Sequence, residues 1–137
     1  MTPQQIVDAF TARAAAMPAT TRFHYGRLQD RSVSLVEKRP PLVWLNTDRL
    51  LRFTVSEGFR TYDVEFRAIT VAGNAETAIE SGRLLVAAET LATLFLTGLV
   101  LGGQRQGGVS YSPFYAEDAE SFTGMQVRFS LLARMPC

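Results

Sequence analysis

Few side chains in this sequence have the type and spacing to do chemistry. Asp63 and Glu65 stand two apart in the alternating run Tyr62-Asp63-Val64-Glu65-Phe66-Arg67-Ala68, so they share one face of a strand. Paired carboxylates serve acid–base work or hold divalent cations. Arg67 follows on the same face, however, and Arg52 falls on the expected partner strand. Cationic neighbours keep carboxylates ionised, the wrong state for a general acid. The pattern therefore reads as an ion-pair face, either solvated or pressed against another subunit. His24 is the one imidazole and has no nucleophile motif beside it; stacking or capping next to Phe23 and Tyr25 is its expected role. Glu89 lies in a greasy segment, where a narrow polar stripe with Thr93 or Thr97 would let it reach water; a functional site is the alternative. Trp44, Tyr111, Phe114 and Tyr115 suit core packing first and a small-molecule pocket second.

The glycine-rich run Gly102-Gly103-Gln104-Arg105-Gln106-Gly107-Gly108 invites comparison with phosphate-binding loops. It follows a helical pattern rather than a strand and lacks the Gly-Lys-Ser/Thr ending, so it reads as a flexible surface loop. Hydrolase signatures such as Gly-x-Ser-x-Gly are absent. One histidine and one cysteine leave little for zinc, haem or a Cys–His dyad. No catalytic, cofactor-binding or metal-binding set is expected.

These residues must be positioned by a chain of 137 residues, a length that suits one domain over 1–137, since single cores serve roughly 100–200 residues. The chain is 47% hydrophobic with net charge +1, which argues against disorder and against nucleic-acid binding driven by bulk charge. Lys38 is the sole lysine among 14 basic residues. Arginine favours multi-donor contacts between protein surfaces, and a GC-rich genome yields the same bias without function. No secretory signal is visible at Met1-Thr2-Pro3, and cytosolic synthesis fits.

Thr2, Pro3 and Gln5 spell a helix start with a capping box, predicting a helix over 3–16 that ends before Pro18 and packs on a sheet or a neighbouring subunit. Short strands are expected at 23–27 and 32–36. The apolar run 42–45 follows Pro40-Pro41 and should start at a sheet edge. Alternation predicts a hairpin of 51–56 and 62–68, turning at Glu57-Gly58-Phe59-Arg60, with 51, 53, 55, 62, 64, 66 and 68 facing the core. After Gly73-Asn74 a long helix over 75–101 is expected, buried between the sheet and another surface rather than in a membrane, because Glu89 and three threonines interrupt it. Strands at 109–115 and 126–133 close the chain around an acidic connector, 117–120. The proline in the first favours an edge or an end; residues 127, 129, 131 and 133 of the second face the core. The sum is an α+β domain, a mostly antiparallel sheet packed by one long helix with an additional N-terminal helix.

The element order and phrasing, from "MTPQQIVDAF" through "LRFTVSEGFRTYDVEF" and "ETAIESGRLLVAAETLATLF" to "VSYSPFYAEDAESFTGMQVRFSLL", resemble tail terminator or tail-completion proteins of tailed bacteriophages. The resemblance implies a non-enzymatic virion protein, made in the bacterial host cytoplasm, that forms a homo-oligomeric ring, a hexamer. It would cap the tail tube and join it to the neck or head, with tube and head–tail connector proteins as partners. It implies no cofactor, no specific nucleic-acid binding and no membrane association. On this reading Arg52, Asp63, Glu65, Arg67 and Arg128 join neighbouring protomers, and the loop from Gly102 to Gly108 orders on ring or tube contact. The alternatives are another virion part, such as a tail-tube subunit or head–tail connector, and a small-ligand α+β domain or enzyme in which Glu89, His24 and the aromatic residues converge.

Overall fold

Helix α1 (Pro3–Ala15) begins where its cap is encoded. The Thr2 hydroxyl accepts from the Gln5 amide at 3.2 Å, and Gln5 Oε1 accepts from the Thr2 amide at 2.8 Å. This closed capping box satisfies two amides that the helix leaves unpaired. The computed structural model describes residues 1–18, 21–26, 41–72, 78–115 and 122–135. Within them follow β1 (Arg22–Gly26), β2 (Leu42–Asn46), the single-turn α2 (Thr47–Leu50), β3 (Thr54–Ser56), β4 (Phe59–Ala72), α3 (Ala78–Thr97), β5 (Gln104–Tyr115) and β6 (Phe122–Arg134). The expected strand at 32–36, the Gly73-Asn74 stop, the 117–120 connector and Cys137 lie outside the described residues.

The six strands form one sheet in the order β1-β2-β4-β6-β5, with β3 beside β4. Among the described strands only the β1–β2 pairing is parallel, so the chain is an α+β protein with a mostly antiparallel sheet. Alternation decides which face is covered. Tyr62, Val64, Phe66 and Ala68 of β4 join Val127, Phe129, Leu131 and Ala133 of β6 in the core, as the period-two pattern requires. That core is closed from one side by Ile6, Val7 and Phe10 of α1 and by Ala88, Ala92, Phe95 and Leu96 of α3. Two helices therefore share the cover that one long helix was expected to supply. Helix α3 ends at Thr97 rather than at 101 and keeps an exposed side: Glu89 is exposed beside Thr90, Thr93 and Thr97, as a polar stripe demands. No helix among the described residues is long and apolar enough to cross a membrane.

The two helices are tied together by an arginine. Arg13 of α1 donates from Nε to the Phe95 carbonyl at 2.9 Å and from Nη2 to the Leu94 carbonyl at 2.5 Å. Helix α3 has no basic residue in its own last turn, so α1 supplies the cation that its negative end lacks. Gly98 leaves the space through which this guanidinium passes. Arg13→Ala should cost about 1–2 kcal/mol, because two charge-assisted bonds vanish at a helix end. Thermal unfolding followed by circular dichroism checks it, and an unchanged midpoint would refute the bridge.

Three expectations are corrected. Leu51 and Val55 do not line the core, since both are exposed; Phe53 is half-buried and packs against the core as expected, its ring 5.3 Å from that of Tyr62. Asn46 accepts from the Asp48 amide at 3.0 Å and starts α2, which turns the chain before β3. The hairpin itself forms, with Glu57 and Gly58 at positive φ in a two-residue turn. Strand β2 is not at an edge; it lies between β1 and β4 because its prolines precede the ladder. Finally, only Gly102 and Gly103 of the predicted loop are a bend. Gln104, Arg105, Gln106, Gly107 and Gly108 belong to β5, where Gln104, Arg105 and Gln106 pair with Leu132, Leu131 and Ser130. The glycines fall in a bulge between Gln106 and Ser110, with Gly107 at φ 70°. Strand β5 lies at the edge of the described sheet, which accommodates Pro113 as expected.

Candidate functional site

The sheet face turned away from the helices carries the charges. Successive residues of β4 alternate, so Asp63, Glu65 and Arg67 all project there, and Glu65 lies opposite Arg128 of β6 in register. Asp63 Oδ2 accepts from Arg49 at 2.9 Å and from Arg128 at 3.0 Å. Glu65 Oε1 faces the Nε of the same two arginines at 3.3 and 3.9 Å. Each guanidinium thus spans both carboxylates, and the four charges cancel. Glu65 is only 5% exposed, and its second oxygen accepts from Asn46 Nδ2 at 2.6 Å.

The local sequence explains how Arg49 arrives. Asn46 ends β2 and caps α2 with its oxygen while donating its nitrogen to Glu65. One side chain therefore fixes both the helical turn and the buried acid, and the turn carries Arg49 over Asp63. Arg52, the expected partner, lies past the end of α2 and is exposed; Arg49 takes its place. The Asn46-Thr47-Asp48-Arg49 run, an N-cap with an acid in the first turn, is the signal that would have found it.

Arg67 shares the face and does different work. Its guanidinium lies 4.6 Å from the centre of the Phe114 ring and donates to Gln126 at 3.4 Å. Beneath it Leu42, Trp44, Ile69 and Phe114 form a second, smaller apolar cluster. Trp44 donates its indole N–H to the Gly26 carbonyl at 3.0 Å, and His24 tilts against it with ring centres 5.5 Å apart. The unbroken apolar run of β2 follows from this, because both its faces are buried.

The proposed chemistry-bearing residues do not converge. Glu89 is on the outer side of α3, whereas His24 packs with Trp44 across the sheet. Tyr111 meets Thr93 at 3.2 Å on the helix side, while Phe114 is on the charged side. The described residues contain no group of three or more His, Cys, Asp or Glu suited to a metal. The carboxylate pair is committed to arginines and Asn46, so the arrangement is a neutral clamp joining α2, β4 and β6. Comparison with known protein families and with curated proteins finds no match for the chain.

Proposed function

We propose that the protein is a non-enzymatic structural subunit of a phage or phage-like particle, assembling as a hexameric ring that caps the tail tube and joins it to the neck or head. The observation that carries this reading is the outward side of the helical layer. Val86 is 64%, Leu94 50% and Val100 83% exposed, although α3 already has its core-facing residues buried. Exposed aliphatic side chains on a folded chain support contact with another protein surface. The whole-chain element order of tail-completion proteins supplies the rest of the reading. In such a particle the protein resides in the virion, at the tail–neck junction.

The neutral clamp divides the charged residues into two kinds of probe. Arg128→Glu would set a third carboxylate beside Asp63 and buried Glu65, leaving Arg49 alone to balance them. A loss of about 1–2 kcal/mol in the monomer is expected, discounted for the half-exposed arginine. Arg52→Glu touches no such cluster and should leave the unfolding midpoint unchanged while reducing the ring fraction. Light scattering and electron micrographs of both variants and the native chain read this out. A native chain that stays monomeric even with tail-tube protein present would sink the ring, and unaltered rings in Arg52→Glu would remove Arg52 from the interface.

A further inference from the structure

The end of α3 and the start of β5 enclose a cleft of about 290 Å³ lined by Leu96, Leu99, Val100, Leu101, Gly103 and Arg105. Four of these six residues are aliphatic, and Arg105 adds one guanidinium to the lining. Arg105 is exposed, and no carboxylate among the described residues pairs with it; its only ring contact there is 6.0 Å from the Phe129 centre. Arg105 lies opposite Leu131, a core residue, so it projects toward the helices and the cleft. Strand β5 ends the described sheet and pairs on one side with β6. Its other side, unpaired among the described residues, offers the N–H and C=O of every second residue along Gln104, Arg105 and Gln106, before the bulge interrupts the ladder.

We propose that this cleft binds the C-terminus of another polypeptide ending in an aliphatic residue. Direction supports it: a chain added antiparallel to β5 runs toward Gln104 and brings its own C-terminus to Arg105. The terminal residue of such a chain carries an aliphatic side chain and a carboxylate on the same carbon, matching the aliphatic lining residues and the guanidinium together. An internal acidic side chain lacks that pairing. A fatty acid shares the two groups but has no amides for the strand edge. The bulge confines recognition to about the last three residues. The site stands independently of the ring.

The test uses the full chain with labelled methyl groups and arginine Nε, titrated with acetyl-Gly-Ser-Thr-Val-Leu as free acid, with the same peptide as C-terminal amide, and with decanoate. The acid should move the Leu99, Leu101 and Arg105 signals with half-saturation below about 1 mM. The amide should bind at least about tenfold more weakly, and Arg105→Gln should bring the acid down to the amide's affinity. Arg105 is exposed, so that variant keeps the native spectrum elsewhere. Equal titration by acid and amide, equal binding by decanoate, or no movement up to about 5 mM peptide overturns the proposal.

Discussion

Phe95→Ala should lower the unfolding free energy by about 3–5 kcal/mol, the usual cost of deleting a buried ring. Phe95 is fully buried, with its ring 5.4 Å from Phe10, 5.5 Å from Phe66 and 6.4 Å from Phe23, centre to centre. Those rings come from α1, β4 and β1, so one side chain of α3 holds three other elements. Its neighbours cannot collapse into the space without moving a helix off the sheet, which places the cost high in the range. Against a total of about 5–15 kcal/mol, roughly a fifth or more of the stability goes. The midpoint should fall by roughly 10–20 °C. Phe95→Leu keeps much of the volume and should cost about 1–2 kcal/mol. Urea unfolding followed by circular dichroism measures both, and a loss below about 1 kcal/mol for Phe95→Ala would show the cluster is not the keystone of the helical layer.

Gly124→Ala should cost about 2–3 kcal/mol although it adds a single carbon. Gly124 sits in β6 opposite Ile69 of β4 and Phe114 of β5. A β-carbon there would collide with the Ala68 carbonyl oxygen and press on the Ile69 backbone. The obstacle is main chain within a ladder, so no side chain can rotate away. The register shift between Ile69 and Val71 is where β4 bends against this position, and glycine permits the approach. Gly108→Ala is the control, since nothing lies within 4 Å of its added carbon. Faster amide exchange along β4 and β6 in Gly124→Ala, with Gly108→Ala unchanged, is the expected result. Equal stability of the two variants would mean that β4 yields easily at its bulge.

Local patterns in the sequence account for much of the fold. The capping box of Thr2 and Gln5 needs only residues three apart, and it forms. The core faces of 62–68 and 127–133 follow from alternation over seven residues, and every one of those positions is buried. Alternation misled at 51 and 55, though not at 53, because the Asn46 cap creates a helical turn that takes up the start of the run. The polar stripe of Glu89, Thr93 and Thr97 was legible from helical spacing; the small cluster of Leu42, Trp44, Ile69 and Phe114 was not, since its members come from three strands. Asp63, Glu65 and Arg128 were legible as one charged face, yet Arg49 entered only through α2.

By itself the sequence determined what short-range physics can enforce: where α1 begins, which side of β4 and β6 is apolar, and that the acids on the opposite side have cationic company. The tertiary structure decided the rest through contacts between distant residues. Gln104, Arg105 and Gln106 carry a glycine-flanked loop signature, yet they extend because Leu132, Leu131 and Ser130 offer a ladder. Arg13 reaches carbonyls 81 and 82 residues away, and Asp63 meets Arg128 across 65. A hydrogen-bond donor in a sequence does not announce which distant acceptor it will meet. Pairing energy at such separations belongs to the assembled sheet, and it can override a weak local preference.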